Sequence, residues 1–200
     1  MILLLLLPKE RPIQIPELDL VIAISADSSK KEETFALMKN TIKALIDTRT
    51  TNKINYSIII FGTSARTLIT FADKSPTTEY LKGLVDLASL ESGPPNLKNV
   101  IGKTKDIFVG GGLRPNATKT LVIITDKKSS SNPSDLSSLV KQMDDKDVRI
   151  ITVSIGNEAD PNELQSVSTN NNDLIKGKST DNPKNLAKQI IDRAKIGEIW

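Results

Sequence analysis

The sequence predicts an α/β domain built on a doubly wound, mostly parallel six-stranded sheet, with one antiparallel edge strand and helices on both faces. Three observations carry that expectation. Short apolar runs alternate with segments of helical period along most of the chain. Several runs are apolar at successive positions, as in strands buried on both faces. Polar clusters follow these runs at the places where loops of such sheets hold ligands.

The first run, LDLVIAIS, spans Leu18–Ser25 and gives way to Asp27, Ser28 and Ser29. Residues 30–48 follow a helical period. Phe35, Met38, Ile42, Leu45 and Ile46 form the stripe, and Ser28 or Ser29 is placed to cap it. YSIIIF (56–61) and RTLITF (66–71) flank a short turn, so they are expected to pair antiparallel. Ser75-Pro76 opens a helix with proline at its first position, and Tyr80, Leu81, Leu84, Val85 and Leu87 are its expected buried face. Past the loop at 91–96, Leu97, Val100, Ile101, Thr104, Ile107 and Phe108 recur at helical spacing until Gly110, Gly111 and Gly112. TLVIIT (120–125) is the fourth strand and ends at Asp126. A polar loop (127–134) leads to a helix over 135–144 carrying Leu136, Leu139, Val140 and Met143. VRIITVSI (Val148–Ile155) is the fifth strand. A short helix (161–168), a short strand (173–176) and a last helix, Pro183–Lys195, complete the domain, the last with Leu186, Ile190, Ile191 and Ala194 inward. The expected organisation is an extended lead-in (1–17), one domain (18–196) and a tail (197–200).

Composition excludes much chemistry. Cysteine and histidine are both absent, which removes disulfides, thiolate or imidazole metal sites, thiol catalysis and a histidine general base within this chain. A net charge of +3 is too weak a field to call for nucleic acid, and aromatic residues, at 4%, are too few for base stacking. The N-terminal run of residues 2–7 is far short of the ~20 residues needed to span a bilayer. It reads either as a signal remnant or as a segment lying on an apolar groove. Two glycosylation triplets occur, at Asn55 and Asn116.

Three loops are expected to meet at the carboxyl ends of the strands: 25–29, 93–96 and 126–128. They carry the carboxylates of Asp27 and Asp126 and the hydroxyls of Ser25, Ser28 and Ser29. Such oxygen donors suit Mg²⁺, Mn²⁺ or Ca²⁺, and they equally suit helix caps and solvated loop ends. A dinucleotide site is disfavoured. No Gly-x-Gly-x-x-Gly follows the first strand, and Asp27 would repel a pyrophosphate there. An acid/base enzyme on Asp27 and Asp126 is disfavoured too, because nothing else in the sequence would orient a substrate.

These residues resemble a von Willebrand factor type A domain over about 18–196. LDLVIAISADSS resembles that family's first strand and metal loop, and INYSIIIFGTSARTLITF its second and third strands. LRPNATKTLVIITD is similar to the Arg-Pro-x-Ala-x-Lys stretch and Thr-Asp strand end of integrin I domains, matrilins and collagen VI modules. VRIITVSIGNEADPNELQSVST resembles the family's fifth strand, its Gly-Asn turn and the short helix after that turn. The resemblance implies a Rossmann-like fold and a metal-ion-dependent adhesion site. That site has Asp-x-Ser-x-Ser after the first strand, a Thr before the third helix and an Asp after the fourth strand. Carried across, Ser25 stands where the Asp belongs, Asp27 where the first Ser belongs, and Ser29 keeps the second Ser. Pro94 falls at the Thr position, and Asp126 keeps the final Asp but is followed by Lys127 and Lys128.

The candidate metal set is therefore Asp27, Ser29 and Asp126, a degenerate site with weak Mg²⁺, Mn²⁺ or Ca²⁺ binding at most and no other cofactor. An ion pair of Lys127 or Lys30 with Asp27 or Asp126 is the expected replacement. Ser28, Pro94, Pro95, Lys127 and Lys128 are the candidate ligand rim. The resemblance implies a non-enzymatic protein-binding or adhesion module of a secreted or matrix protein, with a matrix protein or a second copy of itself as partner and neither nucleic acid nor a membrane span. The alternative is an intracellular, metal-free scaffold subunit of the same fold. The last helix slides in metal-dependent relatives, and here it is expected to stay fixed.

Overall fold

The computed structural model describes residues 17–27, 29, 32–48, 53–73 and 76–195. The N-terminal apolar run, Ser28, Lys30, Lys31, Ser75 and the tail at 197–200 lie outside the described residues.

Among the described residues, six strands form one sheet: β1 (Leu18–Ser25), β2 (Ile54–Phe61), β3 (Ala65–Ile69), β4 (Thr118–Thr125), β5 (Val148–Ile155) and β6 (Leu174–Gly177). Their spatial order is β3-β2-β1-β4-β5-β6. β3 runs antiparallel to β2, as the tight turn predicts, and every other pair is parallel. The helices are α1 (Glu32–Asp47), α2 (Thr78–Asp86), α3 (Leu97–Val109), α4 (Pro133–Asp144), α5 (Pro161–Val167) and α6 (Pro183–Lys195).

The central strands have no polar face because both of their faces are covered. Leu18, Leu20, Ile22 and Ile24 of β1 enter one apolar cluster with α1, α2 and α6. Val21 and Ala23 of the same strand enter the other, with α3, α4 and α5. Parallel neighbours need crossover connections, and helices supply them on both sides. Tyr56 ties β2 to α1 by donating its hydroxyl to the Leu45 carbonyl at 2.7 Å.

Three sequence expectations need correction. Tyr80 and Leu87, expected inside, are 57% and 79% exposed. α2 presents only Leu81 and Val85 fully to the core, with Leu84 packed at its margin, so the apolar stripe is narrower than its composition implies. α2 also starts later than expected, at Thr78, because Thr77 Oγ1 accepts the Tyr80 amide and caps it. α4 starts earlier, at Pro133, with Asn132 as its cap.

The Arg-Pro stretch before β4 has a clear structural task. Arg114 donates from Nε (2.9 Å) and Nη2 (2.7 Å) to Asp19 Oδ1 and from its backbone amide (3.0 Å) to Asp19 Oδ2. Its Nη2 also reaches the Leu18 carbonyl at 2.7 Å. Asp19 is fully buried in β1, and this fork compensates its desolvation. Gly112 closes the turn before it with φ +79°, where a Cβ would collide with the Phe71 carbonyl.

Candidate functional site

The chain moves outward in one direction from β1 to β2 and β3, and in the other from β4 to β5 and β6. Successive loops at the carboxyl ends of β1 and β4 therefore diverge and leave a crevice. Ile24 lies opposite Ile124 in the β1–β4 register. Continued three residues beyond that pair, two past the strand ends, the register sets Asp27 level with Lys127.

The two loops meet as this predicts. Asp27 is buried, with its Oδ1 accepting from the Ser29 amide at 2.8 Å and the Ser29 hydroxyl at 2.9 Å. Lys127 Nζ lies 3.2 Å from Asp27 Oδ2 and also donates to Ser29 Oγ. Glu158 Oε2, from the loop after β5, is 4.0 Å from the same ammonium. Thr125 fixes the lysine backbone: its Oγ1 accepts the Lys127 amide at 3.3 Å and donates to the Lys127 carbonyl at 3.1 Å. Beside this cluster, Ser25 Oγ donates to Asp126 Oδ1 at 3.4 Å.

A cleft of about 350 Å³ opens next to Lys127. Ser29, Thr34, Asp126, Asn157, Glu158 and Ser179 contribute its polar wall. Sequence reasoning found Ser29, Asp126 and Lys127 but missed the others. Thr34 sits in the first turn of α1 and Glu158 in the loop after β5, and neither carries a motif.

The loop before α3 is fastened from the other side. Asn96 caps α3 by accepting the Asn99 amide at 3.0 Å. Ser129 Oγ accepts the Leu97 amide, Ser131 Oγ accepts the Lys98 amide, and the Ser130 amide donates to the Pro95 carbonyl. The serines read as a polar loop thus satisfy the open N–H groups of a helix terminus. Gly93 has φ +78°, and a Cβ there would strike the Thr63 hydroxyl, so this loop requires glycine. Pro94 is exposed, whereas Pro95, expected on the rim, is buried.

Lys128 is exposed and pairs with Asp160 Oδ2 at 3.1 Å. Its hydrogen bond to Asp160 raises its pKa, and the same bond lowers that of Asp160. Burial pulls the Asp27 carboxyl upward, but the Ser29 amide, the Ser29 hydroxyl and the Lys127 ammonium outweigh it and hold the group below its ordinary value. Glu163 moves the other way. Burial pushes it up although the Ser129 amide donates to its carboxylate at 2.9 Å. Among the described residues, no group of three or more acidic side chains is placed to share a metal ion. Asn116 is exposed in the turn before β4, and Asn55 is half-buried in β2, opposite Asp19 of β1.

The sheet order and this rim define a Rossmann-like α/β domain whose strand-end crevice is the candidate binding face. The von Willebrand factor type A domain family matches residues 19–193, and the chain belongs to that family, one of protein-interaction and adhesion modules. Its fold is similar to proximal thread matrix protein 1 from the mussel byssus, with TM-score 0.79 and 22% identity over 90% of this chain and 47% of that one. A second structure of that protein, with a zinc-occupied MIDAS motif, matches with TM-score 0.74 and 17% identity over 91% of this chain and 46% of that one. Manganese-loaded TRAP protein of Plasmodium vivax matches with TM-score 0.70 and 13% identity over 87% and 73% of the two chains. The chain thus spans about half the length of the byssus protein. No helix among the described residues is long and apolar enough to cross a membrane.

Proposed function

We propose that residues 18–196 form a non-enzymatic protein-binding module of a secreted or extracellular-matrix protein, and that it engages its partner without a bound divalent cation. The observation that carries this reading is the Lys127 ammonium lying against Asp27 and Ser29. These are two of the positions from which the family holds its metal. The donor set supports it further. Ser25 replaces a carboxylate, Pro94 brings no side-chain oxygen, and Ser25 Oγ is directed to Asp126. A divalent ion here would face a lysine charge at close range, a repulsion of several kcal/mol for charges ~4 Å apart at an effective dielectric near 20. The residues do not fit the family's metal.

The partner, a matrix protein or a second copy of this chain, then meets the rim through direct protein contacts. Pro94, Lys127 and Lys128 border the face it would use, together with the wall of the cleft. The secreted assignment draws on the Asn116 sequon and on the byssus matrix protein's fold. Asn116, exposed in a turn, suits a glycan, and Asn55, inside a paired strand, does not. The test is surface binding of the purified domain to a panel of matrix proteins and to itself, in EDTA and in Mn²⁺. Saturable binding of equal strength in both buffers is expected. Binding that disappears in EDTA overturns the reading.

A further inference from the structure

We propose that Lys127 is the resident cation of this rim, a tethered ammonium that satisfies the acidic loops, and that deleting it opens a site for a divalent metal ion. The inference deepens the metal-independent reading above and rests on it.

Lys127 follows the end of β4 by two residues, and Thr125 grips its backbone at both the amide and the carbonyl. That grip sends the side chain back across the crevice to the loop after β1. An ammonium has three donors. Around Nζ stand three oxygens from two other loops: Asp27 Oδ2 at 3.2 Å, Ser29 Oγ in hydrogen-bond contact, and Glu158 Oε2 at 4.0 Å. One point charge thus links the loops after β1, β4 and β5.

Charge points the same way. Asp27 is only 6% exposed, so its carboxylate needs a cation or a protonated state to be tolerated. Lys127 supplies that cation covalently, with no dependence on the ion content of the solvent. Remove the ammonium, and Asp27 and Ser29 keep their oxygens without that cation, beside a cleft that Asp126 also lines, its Oδ1 accepting from Ser25 Oγ. These are hard oxygen donors of the kind Mg²⁺ and Mn²⁺ accept. Lysine and metal would then be alternative occupants of one place. A lysine cannot exchange, so the wild-type rim is fixed in a single state.

The test uses Lys127→Ala, Lys127→Arg and the wild type, each titrated calorimetrically with MnCl₂ and melted in EDTA and in Mn²⁺. The wild type and Lys127→Arg should show no saturable Mn²⁺ binding at this site and no shift in Tm. Lys127→Ala should melt lower in EDTA and recover in Mn²⁺. It should bind the ion at least about tenfold more tightly than the wild type, and lose that gain when Asp27→Asn is added. Folded Lys127→Ala that binds Mn²⁺ no better than the wild type overturns the proposal. Should Lys127→Ala not fold in EDTA, the wild type alone decides. Paramagnetic broadening of the Asp27, Ser29 and Asp126 amides at sub-millimolar Mn²⁺ refutes a resident ammonium, and unbroadened signals uphold it. Partner binding is measured separately. Loss of the functional reading would show as EDTA-sensitive binding, and loss of this inference as metal binding that ignores Lys127.

Discussion

Two buried carboxylates bracket β1, Asp19 near its start and Asp27 just past its end, and they are neutralised by different means. Asp19 faces the planar fork of Arg114, which donates from Nε and Nη2 to one oxygen while its amide takes the other. Asp27 faces a lysine, a single point charge, with Ser29 filling the remaining acceptor. A guanidinium fork fixes direction as well as charge, whereas an ammonium at the end of a flexible stem fixes only charge. The first arrangement pins the α3–β4 turn to the sheet. The second stands beside a cleft at the strand ends. One end of β1 is built as scaffold, and the other carries the candidate binding face.

The largest effect is expected at the scaffold end. Arg114→Ala leaves Asp19 buried without its cation and should lower unfolding free energy by about 3–5 kcal/mol in urea melts. Arg114→Lys should restore only part of that, because the fork is lost. A loss under ~1 kcal/mol from Arg114→Ala would erase the contrast between the two ends.

Lys127→Met should cost less, about 1–2 kcal/mol, since the ammonium keeps some contact with water and Ser29 still serves Asp27. A double-mutant cycle with Asp27→Asn should show that most of this cost is mutual.

Acid sharpens the comparison. The Asp27 carboxyl is held below its ordinary value in the folded chain, so its contribution is complete above the usual carboxylate range and falls away as pH drops through the folded value. The gap in stability between wild type and Lys127→Met should therefore close as pH falls from about 5 to below about 3. A gap that widens in acid would mean that another group supplies the coupling.

Lys128→Ala marks the small end of the scale. Its pair with Asp160 is exposed, so thermal melts should not distinguish the variant from wild type. Any effect should appear in partner binding.

The fold was legible because buried parallel strands leave continuous apolar runs. LDLVIAIS, TLVIIT and VRIITVSI carry that signal whatever the rest of the chain does. α2 was less legible: Tyr80 and Leu87 fall within an apolar pattern, but only packing decides which side of a short helix meets the core. At the site, Asp27, Ser29, Asp126 and Lys127 stood out because they flank strand ends. The pairing was open among several choices; the structure shows Asp27 with Lys127, while Lys30 lies outside the described residues. Glu158 and the anchoring role of residues 129–131 left no trace, since their partners lie about thirty residues or more away in sequence and nothing local encodes them.

Crystals of the wild-type domain grown in millimolar Mn²⁺ would probe the rim most directly, through anomalous scattering at the manganese edge. A resident ammonium predicts no peak between Ser29 and Asp126, Lys127 Nζ still against Asp27, and α6 in the same place as in crystals grown with EDTA. A six-coordinate manganese there, with Lys127 swung into solvent, would contradict it.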